Sequence, residues 1–273
     1  MLSIHGHRGS RGTHPENTLK AFEEAAASQA AYVECDVHLT ADKECVVFHD
    51  FTLDPPLCTA LRAHPADKIQ IEDLTLSEIQ EFWRVGLTPM PRFPRQSVSP
   101  KGERIVSLQE LGEWQKKEAP HCFLNIEIKR ATTSRFSAAF FAKRVTNVVH
   151  EHDLSPRTLL QSFDLELMEA LSHCTKNFQL SCLWEQPYTL NQLLFSAEKC
   201  KTGRVGPDAQ GLTHELLSGL RASHIHCLPW TINSLEHADF LAFGGVEGLI
   251  TDYPRDLVEH FRRYSTTDVM FQT

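Results

Sequence analysis

No stretch of this chain approaches the roughly 18 apolar residues that a membrane-crossing helix needs. The opening MLSIHGHRGSRG holds no apolar run of the length a secretory signal carries. Stable membrane insertion is therefore not expected, and a soluble, cytoplasmic protein is. Runs of Lys and Arg are missing too, and the formal charge is −8. A phosphate backbone asks for a basic face, so no nucleic-acid partner is expected. The eight cysteines (35, 45, 58, 122, 174, 182, 200, 227) contain no CxxC pair. A zinc site or disulfide framework is thus disfavoured, and the thiols read as reduced and mostly buried. Internal repeats and low-complexity tracts do not occur, and oligomeric state is left open. What is present is ordinary globular usage, 41% hydrophobic and 23% charged residues, which suffices for a substantial core.

Short β-rich runs alternate with helical patterns along nearly the whole chain, as in repeated βα units around a parallel sheet. Eight strands are expected, at 2–7, 32–39, 122–128, 158–162, 180–183, 204–206, 226–230 and 248–251. Helices are expected at 15–28, 136–150, 165–172, 190–199, 213–222, 235–243 and 254–264. A chain of 273 residues fits one such barrel. The expected fold is α/β: a TIM-type (β/α)8 barrel forming a single domain over 1–273, with its chemistry at the carboxyl ends of the strands. After the second strand comes a β-like run, 45–49, and then an irregular stretch rich in proline. Residues 51–104 are expected to form an insertion or lid within the domain. It carries one helix, 75–84, opened by Thr75-x-x-Glu78. Ser107-x-x-Glu110 and Thr189-x-x-Gln192 have the same capping-box form, in which each side chain satisfies an orphaned backbone N–H.

Side chains on a strand alternate faces, so Glu34 and Asp36 point one way while Val33, Cys35 and Val37 point the other. Asn125, Glu127 and Lys129 likewise share one face of a strand whose other face is apolar. Three carboxylates converging inside a barrel repel one another unless a cation or strong donors lie between them. Oxygen ligands of this kind suit one divalent cation, Mg²⁺ or Ca²⁺; a salt-bridge network is the bland alternative. His7 and His49 stand where strands give way to loops, and an imidazole exchanges protons at neutral pH. They are the candidate catalytic pair. Arg8 is the candidate phosphate fork, and Lys129 offers a point charge opposite; the alternative for either is to neutralise the carboxylates. Trp184 and Trp230, at strand ends, are candidate pocket walls or packing residues. His5 shares the parity of His7 and could look into the barrel, with a packing role favoured.

These residues resemble a known family. Gly6-His7-Arg8-Gly9, Pro15-Glu16-Asn17-Thr18 with Ala21-Phe22, Glu34-x-Asp36-Val37-x-x-Thr40-x-Asp42 and Val46-Val47-x-His49-Asp50-x-x-Leu53 look like the opening of a glycerophosphodiester phosphodiesterase. Asn125-Ile126-Glu127-Ile128-Lys129, Gln161-Ser162-Phe163-Asp164, Trp230-Thr231-Ile232-Asn233 and Thr251-Asp252-Tyr253-Pro254 extend the likeness along essentially the whole chain. The resemblance implies a TIM-type barrel in which Glu34, Asp36 and Glu127 hold a divalent ion. It also implies that His7 and His49 serve as acid and base and that Arg8 binds phosphate. The implied reaction is hydrolysis of a small-molecule glycerophosphodiester, such as glycerophosphocholine or glycerophosphoethanolamine, to glycerol 3-phosphate and an alcohol. One departure is Leu53-Asp54-Pro55-Pro56-Leu57, where members commonly read Leu-Asp-Arg-Thr-Thr.

Two rivals stand beside this expectation. A lysophospholipase D-like enzyme on the same barrel would need an apolar acyl groove, for which Phe82, Trp83, Leu87, Met90 and Phe93 are the candidates. A non-catalytic phosphate-binding barrel would be expected to have lost a ligand or a histidine, and none is lost.

Overall fold

The computed structural model describes residues 2–62, 69–154, 158–174 and 178–267. The stretch 63–68 of the expected insertion lies outside the described residues, as do the ends of the expected domain, 1 and 268–273. The chain opens with strand β1 (Ser3–Gly6), helix α1 (Leu19–Ala27) and strand β2 (Tyr32–Leu39), and then turns back through β3 (Cys45–Val47), which pairs antiparallel with β2. A small lobe follows: β4 (Cys58–Ala60), α2 (Leu76–Phe82), β5 (Trp83–Val85) and β6 (Glu103–Arg104), with β5 central in a three-stranded antiparallel sheet. Helix α3 (Leu108–Glu118) leads back to the barrel. From there strands and helices alternate as β7 (Phe123–Ile128), α4 (Ala138–Glu151), β8 (Thr158–Ser162), α5 (Leu165–Cys174), β9 (Gln179–Trp184), α6 (Leu190–Lys199), β10 (Arg204–Pro207), α7 (His214–Ala222), β11 (His226–Cys227), α8 (Leu235–Phe243), β12 (Gly248–Thr251) and α9 (Pro254–Thr267).

Eight strands run parallel in the order β11-β10-β9-β8-β7-β2-β1-β12. Single hydrogen bonds bring the two ends together: Glu247 N–H donates to the Cys227 carbonyl at 2.9 Å and Ile250 N–H to the Pro229 carbonyl at 3.1 Å. The result is the expected (β/α)8 barrel. The expected seventh strand, 226–230, is regular for two residues only, since Pro229 has no N–H to donate to a ladder.

Strand parity explains how one chain builds both a core and a polar interior. The outward residues Val33, Cys35 and Val37 of β2 and Leu124, Ile126 and Ile128 of β7 share one buried cluster with Phe22 of α1 and Phe141 of α4. Their inward neighbours are the polar residues of the site. Helix α1 starts at Leu19 rather than at 15: Asn17 sits at φ 56, and the Thr18 side chain caps the helix by accepting from Ala21 N–H. Pro15-Glu16-Asn17 is therefore a turn, which leaves Glu16 and Asn17 free to face the barrel mouth.

The segment after β3 is more regular than its prolines imply. Its sheet and α2 gather Phe48, Leu53, Ile71, Ile79, Trp83, Val85 and Ile105 into a hydrophobic cluster of their own. The helix expected over 75–84 ends at Phe82, because Trp83-Arg84-Val85 forms the central strand β5. This lobe docks on the loop after β1: Gln96 Nε2 donates to the Arg11 and His14 carbonyls at 2.7 and 3.0 Å, and the Arg11 guanidinium lies 4.7 Å from the Phe93 ring centre. No helix among the described residues is long and apolar enough to cross a membrane.

Candidate active site

Strand register brings the acidic residues together. β2 and β7 pair Glu34 with Asn125 and Asp36 with Glu127. An oxygen from each of Glu34, Asp36 and Glu127 lies within 4.8 Å of the others, and all three residues are buried. The cations around them are specific. Lys129 Nζ is 2.5 Å from Glu127 Oε1 and 3.2 Å from Asp36 Oδ1, while Arg8 Nε is 3.3 Å from Asp36 Oδ2. Asn17 Nδ2 donates to Asp36 Oδ2 at 2.8 Å, and the Arg8 backbone N–H donates to Glu34 Oε2 at 2.7 Å. The second oxygen of Glu34, Oε1, has no hydrogen-bond partner although it is buried.

Electrostatics separate the three carboxyls. Burial, then the charges of Asp36 and Glu127, push Glu34 well above the usual carboxylate range. Burial also raises Glu127, with Lys129 opposing it. Burial would raise Asp36 as well, but Lys129 and Arg8 reverse the effect and hold it low. The Arg8 guanidinium donates to Glu16 at 2.7 Å, and Arg11 lies between Glu16 and Asp252. With all five carboxyl groups ionised, Glu16, Glu34, Asp36, Glu127 and Asp252 face three fixed cations (Arg8, Arg11, Lys129), a deficit of two positive charges in a poorly solvated place. One divalent ion at Glu34, Asp36 and Glu127 would cancel that deficit and give Glu34 Oε1 a partner, so the residues present fit a hard divalent cation.

The two histidines are held alike. His7 follows β1, and its Nδ1 meets Asp252 Oδ1 at 2.8 Å. Asp252 is fully buried and also accepts from Arg11 Nε at 2.9 Å and Asn233 Nδ2 at 2.7 Å. His49 Nδ1 meets Asp50 Oδ1 at 2.6 Å on the more open side. An ionised carboxylate only accepts, so each imidazole carries its proton on Nδ1 and leaves Nε2 available. Burial, then the charge of Arg11, lowers the His7 pKa to about 4 against the pull of Asp252, so its imidazole is neutral at neutral pH. The turn carrying His7 and Arg8 packs tightly on α1. At Gly9 (φ 82) a Cβ would lie 2.5 Å from the Ala21 carbonyl carbon, so only glycine fits.

A cavity of about 230 Å³ opens at this end of the barrel, lined by His7, Arg8, Glu34, His49, Glu127, Lys129 and Trp230 among others. Trp230 donates its indole N–H to the Gly206 carbonyl at 2.8 Å and meets Phe163 edge to face at 5.5 Å. Trp184 requires a correction as a pocket wall. It shares the outward face of β9 with Cys182, and its indole donates to Ser196 Oγ on α6 at 3.0 Å. The inward neighbours Leu183 and Glu185 line the cavity instead. Of the candidate acyl-groove residues, Trp83 and Phe93 are buried, while Phe82, Leu87 and Met90 are half-buried. Glu16, Asn17, Arg11, Asn233 and Asp252 are site residues that residue-by-residue reasoning passed over. The first two fall within the helix expected from 15, which hid their turn, while Asp252 lies 245 residues from its histidine.

This fold and site match known proteins. The model of the glycerophosphoryl diester phosphodiesterase family matches residues 7–256. A glycerophosphodiester phosphodiesterase of Caldanaerobacter subterraneus subsp. tengcongensis is 26% identical over 261 residues, covering 94% of this chain and 96% of that one. The crystal structure of a glycerophosphodiester phosphodiesterase from Thermotoga maritima superposes with a TM-score of 0.70 at 25% identity, covering 95% and 98%. A phosphodiesterase from Oleispira antarctica, solved with the product sn-glycerol-3-phosphate, shares the fold at a TM-score of 0.79 and 21% identity, covering 96% and 97%. The chain belongs to the glycerophosphoryl diester phosphodiesterase family, and it is a phosphoric diester hydrolase that acts on glycerophosphodiesters.

Proposed function

We propose that the chain releases glycerol 3-phosphate and an alcohol from its substrate using one divalent cation, Mg²⁺ or Ca²⁺, held by Glu34, Asp36 and Glu127. The buried, partnerless Glu34 Oε1 within a three-carboxylate cluster carries this reading. The bound ion would supply a Lewis acid for the charge that grows on the phosphoryl oxygens. Arg8 and Lys129 bind the phosphate beside it. The contacts of Arg8 to Glu16 and Asp36 use Nη1 and Nε, which leaves Nη2 for an anion. His7, neutral and held by Asp252, takes the proton of the attacking oxygen through Nε2. His49, in its doubly protonated form with Nδ1–H on Asp50, gives its Nε2 proton to the leaving alcohol. The described residues of the 51–104 insertion cover one side of this mouth, as part of a single barrel domain. Eight free cysteines, seven of them buried, suit a reducing, cytoplasmic setting.

The test is an assay of glycerol 3-phosphate release from a panel of phosphodiesters after chelation. Activity is expected to vanish with chelator and to return with Mg²⁺ or Ca²⁺. His7→Ala and His49→Ala are each expected to lower kcat by about 10²- to 10⁴-fold with an unchanged melting temperature. Near-normal turnover in both variants, or full activity in excess chelator, would remove the assignment. Release of choline from lysophosphatidylcholine in preference to glycerophosphocholine would instead favour the lysolipid rival.

A further inference from the structure

A second cavity, of about 540 Å³, continues outward from the first and shares His49, Glu127, Lys129, Phe163 and Glu185 with it. The phosphate site proposed above falls at this junction. The inner cavity has room for the phosphoglyceryl part of a diester and little more, which leaves the outer one to the alcohol. Two features of the outer cavity stand open to a ligand. Phe51 and Phe163 are 42% and 39% exposed, in a molecule whose other aromatic rings mostly pack. The Glu185 carboxylate, just past the end of β9, has neither a hydrogen bond nor an ion pair among the described residues.

The other charged side chains lining that chamber already have partners. Arg130 donates to Asp164 and Glu166 at 2.6 Å each, and His49 holds Asp50. Lys129, whose Nζ lies 5.9 Å from the Phe163 ring centre, is paired with Glu127 and Asp36. Glu185 is thus the one carboxylate lining that chamber that has no side-chain partner among the described residues, and it shares the chamber's lining with Phe51 and Phe163. A carboxylate next to aromatic rings attracts a small organic cation, since both the charge and the ring quadrupole favour it.

We propose that this outer chamber is a headgroup subsite in which Glu185, with Phe163 and Phe51, selects diesters whose alcohol carries an ammonium group. The proposal rests on the phosphodiesterase reading above and adds the chemical class of the leaving alcohol. Glu185 acts on choice of substrate and takes no part in proton transfer.

The experiment compares kcat/KM for glycerophosphocholine and for glycerophosphoglycerol, whose alcohol is uncharged, in the wild-type enzyme, Glu185→Gln and Glu185→Lys. The wild type should prefer the cationic substrate. Glu185→Gln should lower the ratio of the two constants by about tenfold, a change carried by KM, which corresponds to the loss of one exposed charge contact of about 1.4 kcal/mol. Glu185→Lys should lower it further. Tetramethylammonium chloride should inhibit the wild type competitively, against a sodium chloride control, and inhibit Glu185→Gln less. An unmoved ratio, or an equal loss on both substrates, would overturn the headgroup subsite while leaving the phosphodiesterase reading intact. A wild-type enzyme that cleaves neither diester would overturn both.

Discussion

At the scale of single residues, the site depends on how each imidazole is held. Asp252 touches no cavity wall, yet it meets His7 Nδ1 at 2.8 Å and is fixed in turn by Arg11 and Asn233. Its carboxylate forces the tautomer that leaves His7 Nε2 with a lone pair. An amide at the same position can turn its N–H toward Nδ1, which moves the ring proton to Nε2 and abolishes the acceptor. Asp252→Asn is therefore expected to lower kcat by roughly 10³- to 10⁴-fold, with KM little changed, as when a buried carboxylate loses control of a catalytic imidazole. Steady-state kinetics on glycerophosphocholine check this, and a loss smaller than tenfold would show that the loop alone orients His7. The Arg11 contact adds a second dependence. Arg11 lies over Phe93 of the lobe, so the lobe reaches His7 through two side chains without touching substrate.

At the scale of elements, helix α3 ties the lobe to the barrel through one side chain. Glu110 closes the capping box by accepting from Ser107 N–H at 2.8 Å, and it also accepts from Gln80 of α2 at 2.9 Å and from Arg104 of β6. Ser107→Ala removes the cap alone and is expected to cost about 1 kcal/mol. Glu110→Ala removes all three links and should cost more. Urea unfolding midpoints of the two variants test the order, and equal losses would mean that the links to the lobe contribute nothing. The capping box was legible in the sequence because it is local: four residues hold the whole signal. The carboxylate cluster was legible for a related reason, since a period of two places Glu34 with Asp36 and Glu127 with Lys129 before any fold is known. Strand β5 was not legible, because three residues behind a good helical pattern carry no periodicity and β5 exists only through its partners β4 and β6. The start of α1 was missed because apolar spacing runs smoothly back to Pro15, while the left-handed turn at Asn17 is set by contact with Asp36 and Arg8. Trp184 was misplaced for want of one residue of register: strand β9 ends later than its apolar run, and that parity turns the indole outward.

At the scale of the whole molecule, a polar barrel interior makes stability depend on pH through buried imidazoles. His5 lies inside the barrel, stacked on Tyr32 at 4.1 Å and hydrogen-bonded to Ser3 Oγ at 3.0 Å. Burial, then the charge of Arg204, lowers its pKa to about 3, and burial likewise lowers His38 to about 4 and His7 to about 4. In the unfolded chain each titrates near 6.5. Between those limits the unfolded state binds more protons than the folded one, so folding is fully favoured above pH 6.5 and weakens as the pH falls toward 4. Each histidine can remove up to roughly 3 kcal/mol across that window, against a total stability of about 5–15 kcal/mol for a typical domain. Asp36 and Asp252 act lower down, since their depressed pKa values stabilise the fold above about pH 4 and release it only below. Glu34 and Glu127, whose pKa values burial raises, act in the opposite sense over the same interval, so the histidine contribution between pH 7 and pH 4.5 is read from unfolding free energies of variants in urea rather than from the whole curve. A His5→Gln variant, whose side chain keeps hydrogen-bonding atoms but cannot titrate, should show a shallower slope over the same interval whatever its absolute stability. A slope equal to that of the wild type would mean that His5 is protonated within the fold, with its charge balanced by the Glu247 carboxylate that Arg204 already engages.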